Sequence, residues 1–333
     1  MGTLLGACLN RADVETELVD VNRAHIDALN RHGATVTGKV HFNVPVRAIT
    51  PDAMDGVYDV IFLLIKQTYN EVSFRQILPH VDKDSTIVTL QNGLPEPAVA
   101  KAFGEDRTMG CAVTWAATMV KPGETIATSD YEFWNSNLGR LDGKITERGR
   151  EIREILAKMC RTELSSNLAG IRWSKLIINA SFSGMSAALG RSFGGVLDDP
   201  MSLCCAQHIA KECIEVSRAM HVTLHPIGEE GCLDALMDFT TEAEREKTTW
   251  IYRKLFGSCY DGKASMLQDI EKGLRTEIHA INGVVSDYGK QCGVPTPFCD
   301  IVVRIVEEIE EGKREANKNN LLLFSGALKA CRP

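Results

Sequence analysis

Residues 57–65 read VYDVIFLLI, an almost unbroken apolar run. Such a run has no polar face, so it fits a strand covered on both sides, as in a parallel sheet flanked by helices. Residues 86–90 (TIVTL) repeat the pattern and end in the polar turn Gln91-Asn92-Gly93. Residues 14–19 and 109–114 read as further strands. Residues 22–30 carry helical spacing and stop near Gly33. Strands alternating with helices predict a doubly wound α/β domain.

From about residue 167 the period changes. Segments 173–189, 206–220, 242–256, 276–291 and 298–312 place apolar residues three and four apart, the spacing of one helix face. Gly293 and Pro295 stop the fourth of these. The run EEIEEGKREANK reads as a solvated helix end. The pattern therefore predicts an α/β domain over residues 1–163 and an all-α domain over residues 164–325.

Composition narrows the function. A chain of 333 residues with 44% hydrophobic and 24% charged residues is an ordinary globular protein with room for two cores. Its net charge of -7 argues against a nucleic-acid binder, which needs a basic face. No apolar run approaches the roughly 18 residues of a membrane span. No basic region followed by an apolar core opens the chain, so the expected location is the cytoplasm. The 11 cysteines are irregularly spaced, with no Cys-x-x-Cys. They read as reduced thiols, with no metal site expected.

Candidate chemistry begins where the strands end. The run at 14–19 leads to Asp20, followed by Asn22 and Arg23. An acidic residue there can bind an adenosine ribose and a nearby arginine a 2′-phosphate, so both NAD and NADP stay open. Asp20 can equally cap the helix that follows. Lys66 and Asn92 end the two apolar strands, on the side where parallel sheets bind ligands. Lys66 is either a ligand contact or a surface lysine, and Asn92 either a ligand contact or half of an Asn-Gly turn. In the helical half, Lys175, Asn179 and Ser183 recur every four residues along one helix face with apolar neighbours. Desolvation there would lower the pKa of Lys175 and make it a proton donor near neutral pH. A lysine that snorkels to water is the alternative. Ser265 and Gln268 fit a capping box, and Glu277 is either functional or an exposed helix carboxylate.

Together these stretches resemble the ketopantoate reductase (2-dehydropantoate 2-reductase) family, over residues 2 to about 315. The specific parts are W-x-K-x-x-x-N at Trp173, Lys175 and Asn179, SMLQD at 265–269, and TEI-x-x-ING at 276–283, in order and at family spacing. LIKQTYN and LQNG are weaker but fall in the right order. The resemblance implies a Rossmann-type domain followed by a helical domain. It implies NADPH-dependent reduction of 2-dehydropantoate to (R)-pantoate in pantothenate biosynthesis, with NAD not excluded. Lys175 would be the general acid, and Glu277 would bind the substrate hydroxyl and help to hold Lys175. Asn92, Asn179 and Ser265 would position the substrate, with Ser183 beside them. Gly2, Asp20, Asn22, Arg23, Lys66 and Asn92 would lie at the cofactor. A homodimer is implied by the same likeness.

Two departures from the family pattern bear on these expectations. Ser183 stands where many members carry a second asparagine, so the substrate can be another 2-oxo acid. Gly2 matches the last glycine of Gly-x-Gly-x-x-Gly, so the first strand and the first two glycines of that fingerprint are missing. That predicts an open hydrophobic slot in the sheet and weak cofactor binding, as in a non-catalytic homologue. A start assigned at the methionine of the fingerprint is the simplest account.

Overall fold

The computed structural model describes residues 1–331. It divides into two compact units, residues 1–91 with 95–168, and residues 92–94 with the chain from 169 onward.

Among the described residues, every strand lies in the first unit. In chain order these are β1 (Glu17–Val19), β2 (Ala34–Gly38), β3 (Phe42–Val44), β4 (Arg47–Ile49), β5 (Val60–Leu63), β6 (Thr86–Thr89), β7 (Thr108–Val113), β8 (Ala117–Lys121), β9 (Glu124–Ala127), β10 (Asn135–Gly139) and β11 (Arg161–Ser165). Its helices are α1 (Gly2–Arg11), α2 (Arg23–His32), α3 (Asn70–Ile77), α4 (Glu96–Phe103) and α5 (Glu147–Ala157). The largest sheet has the order β11-β10-β7-β6-β5. Within it β5, β6 and β7 run parallel, as the apolar runs predict. The pair β1 and β4, also parallel, stands as a separate two-stranded sheet, and β3-β2-β9-β8 form a third.

The interior strands β6 and β7 are buried throughout, but β5, at the edge, departs from its expected burial. Val60, Ile61 and Phe62 are only half-buried. The reason is topological: among the described residues β5 pairs with β6 alone, and β1 with β4 alone. The described chain opens directly with α1, and Gly6 lets that helix close onto β1. A Cβ there would come within 2.8 Å of Leu18.

The second unit is helical: α6 (Leu168–Leu189), α7 (Phe193–Leu197), α8 (Pro200–Ala219), α9 (Leu233–Met237), α10 (Glu242–Lys247), α11 (Thr249–Gly257), α12 (Ser265–Glu271), α13 (Val284–Cys292), α14 (Pro297–Glu310) and α15 (Ser325–Ala330). One core runs through it, with Trp173, Phe182, Ile209, Tyr252, Ile281 and Phe298 among the buried side chains. The periodic segment 242–256 is two helices. Thr241 and Glu244 form a capping box that starts the first. Gln207 Nε2 donates to the carbonyl of Arg245 and to Thr248 Oγ1, both at 3.0 Å, where the first gives way to the second. Segment 276–291 opens with a five-residue π-helical turn, His279–Gly283, before α13.

Candidate functional site

Helix α6 runs through the core of its unit, and most of its surface is apolar. Leu176, Ile177, Ala180 and Phe182 are all buried. Lys175, Asn179 and Ser183, spaced four apart on one face, are instead half-buried. The other hydroxyls of this helix serve the backbone. Ser174 Oγ donates to the carbonyl of His225 (2.7 Å), Ser181 Oγ to that of Ile177 (2.8 Å), and Ser186 Oγ to that of Arg191 (2.5 Å). The helix thus separates structural polar groups from one polar row that includes a lysine.

Glu277 is half-buried between two buried neighbours, Thr276 and Ile278. The N–H and Oγ1 of Thr276 donate to Glu310 Oε1 on α14 at 2.7 and 2.6 Å. The N–H of Ile278 donates to Thr276 Oγ1 at 3.1 Å. Glu277 is therefore held at the mouth of the π-helical turn, and the reading of it as an exposed helix carboxylate is corrected. Ser265 begins α12 and is exposed, but the capping box is not formed. Ala264 is the cap residue, and Gln268 Nε2 donates to the carbonyl of Lys263 at 3.0 Å.

Asn92, Gly93 and Leu94 group with the helical unit, and Leu94 packs on its core. Gly93 has φ +74°, so the Asn-Gly turn is real and leaves the Asn92 side chain half-buried. Lys66 follows β5 in the first unit, at the start of a short 3₁₀ turn. Beside it Gln91 Nε2 donates to the carbonyl of Ile65 and to Asn70 Oδ1, tying the carboxyl ends of β5 and β6 together.

At the carboxyl end of β1, Asn22 rather than Asp20 caps α2, its Oδ1 accepting from the N–H of His25 at 3.2 Å. Asp20 Oδ1 accepts from the N–H of Asn22 at 2.9 Å and stays exposed, as does Arg23. Gly2 is exposed at the start of α1, and a Cβ there would meet only Leu64, at 4.0 Å. An exposed carboxylate, an exposed arginine and an uncluttered helix start fit the ribose and phosphates of a dinucleotide.

Three residues shape this region in ways the sequence reading missed: Thr276 and Asn282, quoted there only as letters of TEI-x-x-ING, and Glu310, which no motif included. Asn282 is fully buried, and its Nδ2 donates to the carbonyl of Ala180 on α6 at 3.0 Å. An asparagine between Ile281 and Gly283, on the apolar stripe of a helix, is the signal that marks it. Among the described residues no three metal-ligating side chains cluster, and no helix is long and apolar enough to cross a membrane.

Residues 1–139 match the family described as Ketopantoate reductase PanE/ApbA, and residues 167–310 match Ketopantoate reductase PanE/ApbA C terminal. A curated 2-dehydropantoate 2-reductase from Pyrococcus horikoshii is 25% identical over 318 residues, covering 93% of this chain and 94% of that protein. Among solved structures, the ketopantoate reductase of Ralstonia eutropha JMP134 superposes with TM-score 0.77 at 22% identity, over 93% of this chain and 95% of that one. A D-mandelate dehydrogenase in complex with NADH gives TM-score 0.78 at 20% identity, over 94% and 97%. At such identities the superpositions speak for the fold, while the two sequence matches span nearly the whole polypeptide, and by them the chain belongs to the ketopantoate reductase family.

Proposed function

We propose that the chain reduces the ketone of 2-dehydropantoate to (R)-pantoate, with NADPH as the hydride source. The observation that carries the reading is the half-buried polar row Lys175, Asn179 and Ser183 on one face of α6, a helix whose Ser174, Ser181 and Ser186 are instead buried and bonded to backbone carbonyls. A lysine so placed can donate a hydrogen bond to a ketone oxygen and then a proton as negative charge develops there. Both the proton and the charge act at the transition state. Glu277, held through Thr276, is suited to accept from the substrate hydroxyl, and the amides of Asn92 and Asn179 to orient it. Ser265, whose hydroxyl makes no capping bond, is a further contact.

The nicotinamide supplies the hydride when bound. In the first unit, Gly2 at the start of α1 suits the pyrophosphate, Asp20 and Asn22 the ribose, and Lys66 the junction with the substrate. Arg23 is the residue suited to a 2′-phosphate, which selects NADPH over NADH.

The test is NADPH oxidation with 2-dehydropantoate. Lys175→Ala is expected to lower kcat about 10²–10⁴-fold, the range for loss of a positioned acid and its charge. Near-normal turnover would remove Lys175 from the chemistry. Arg23→Ala should lower kcat/KM for NADPH and leave that for NADH unchanged.

A second reading, reduction of a different 2-oxo acid, is favoured by Ser183, whose side chain is shorter than an amide. The fold shared with a D-mandelate dehydrogenase points the same way. Comparing kcat/KM for 2-dehydropantoate and an aryl 2-oxo acid decides between them. Ser183→Asn should shift the ratio toward 2-dehydropantoate.

A further inference from the structure

We propose that Asn282 is a positioning residue for the proton-transfer site, acting through α6 and the π-helical turn His279–Gly283. The proposal rests on the reading of Lys175 and Glu277 as reacting residues.

Asn282 is fully buried, and its Oδ1 has no partner among the described residues. A buried amide oxygen without a donor costs stability, and a leucine of similar size would avoid that cost. The other half of the amide does something a leucine cannot. Its Nδ2 donates to the carbonyl of Ala180, the residue that follows Asn179 on α6. Gly184, one residue beyond Ser183, makes room for it. A Cβ at 184 would lie 2.6 Å from Asn282 Oδ1 and 2.8 Å from Val302 Cγ1. The contact therefore falls on the stretch of α6 that carries Asn179 and Ser183.

The other end of the device is Glu277, two residues before the turn, whose cap residue is Ile278. A π-helical turn holds an extra residue, and one residue corresponds to about 100° of rotation around a helix. Relaxation of His279–Gly283 to α geometry would swing Glu277 by that angle relative to Asn282. Two anchors oppose the swing. Thr276 is fastened to Glu310 on α14, and Asn282 is fastened to Ala180 on α6. The carbonyl of Glu277 itself accepts from the N–H groups of Ala280 and Ile281, at 2.9 and 3.0 Å. The bond from Asn282 thus sets the direction of Glu277 and its register against the row that carries Lys175.

The experiment is Asn282→Leu in the full chain, with thermal unfolding, kcat and KM for 2-dehydropantoate, and a crystal structure of the variant. The expected result is a folded protein with Tm close to wild type, kcat lowered about 10–100-fold, and KM changed less than about 3-fold. The structure should show the turn at 279–283 relaxed and Glu277 displaced. Gly184→Ala, which crowds Asn282 without replacing it, should give the same kcat-only loss. A folded Asn282→Leu protein with wild-type kcat overturns the proposal. So does a loss that merely follows the folded fraction, or one shared by KM. If the wild-type chain does not turn over 2-dehydropantoate, the functional reading fails first. The crystal structure then decides the positioning claim alone, and an unchanged π turn with Glu277 in place overturns it.

Discussion

Glu212 shows how one carboxyl can set the pH response of the helical unit. It is 5% exposed, and its two oxygens accept from the N–H groups of Phe298 and Cys299 at 2.7 and 2.8 Å, at the start of α14. Burial pushes the carboxyl from its ordinary 4.5 up to about 8, against the lowering effect of those two donors. Cys299 and Asp300 face it, and the His208 ring stacks on Phe298 at 4.5 Å. Burial, with Arg245 and Lys211 nearby, pushes His208 from 6.5 down to about 4. The signs oppose. Between pH 4.5 and 8 the folded chain keeps a proton on Glu212 that the unfolded chain has lost, so stability falls as pH rises. Between pH 4 and 6.5 the unfolded chain binds a proton on His208 that the folded chain refuses, so stability rises with pH. From pH 6.5 to 8 the Glu212 effect stands uncancelled by His208, at up to about 1.4 kcal/mol per pH unit. Urea unfolding across that window should show a decline in wild type and a flatter line in Glu212→Gln. Equal slopes would refute the assignment. None of this was legible in the sequence, where Glu212 is one acidic residue in a helical run. The row Lys175, Asn179 and Ser183 was legible, because four-residue spacing alone puts side chains on one face. The hold on Glu277 was not, since Thr276 is anchored by Glu310, 34 residues along the chain, and Asn282 by Ala180, 102 residues back on α6.

At the scale of elements, the strands read from the sequence were those at 57–65, 86–90 and 109–114, and one at 14–19 that the structure shortens to β1, Glu17–Val19. β5 and β6 were visible as apolar runs, and β7 as a further strand at 109–114. The small sheet β3-β2-β9-β8 was not, because its strands hold three to five residues, several of them Thr, Asn or Lys, on a surface only partly covered. The Ser265 capping box failed for a local reason: Ala264 takes the cap position, and Gln268 turns to the carbonyl of Lys263. Helix α8 starts at Pro200, six residues before its apolar period suggests. The signal was present in Asp199-Pro200, a cap followed by the residue best suited to a first helical turn. Asp199 Oδ1 accepts from the N–H groups of Met201 and Ser202, both at 3.1 Å, and its other oxygen meets Lys318 at 2.6 Å. Asp199→Ala should cost about 0.5–2 kcal/mol through the lost cap. Asp199→Asn keeps the cap and gives up the ion pair, which should cost less than about 1 kcal/mol. Chemical denaturation of both variants separates the terms, and an equal loss in the two would assign the effect to Lys318 instead of the helix start.

For the whole molecule, the division into two units carries a thermodynamic consequence. Each unit has its own buried cluster, with Leu9 in one and Ile209 in the other. Chains with separate cores need not unfold as one cooperative step. Leu9→Ala and Ile209→Ala each empty a packed position, at about 2–5 kcal/mol, and so mark the transition to which each core belongs. The nucleotide contacts proposed above, Gly2, Asp20, Asn22, Arg23 and Lys66, all lie in the unit that contains Leu9. A ligand that binds only the folded form at 100 times its Kd adds about 2.7 kcal/mol. For a unit of this size that is about 5–11 °C in Tm. Calorimetry with saturating NADPH should therefore raise the transition that Leu9→Ala lowers and leave the Ile209 transition in place. A shift confined to the Ile209 transition, or no shift at all, would remove the nucleotide from the first unit. One peak lowered by both variants would show a single cooperative step, and NADPH protection from proteolysis at sites in each unit would then locate the binding.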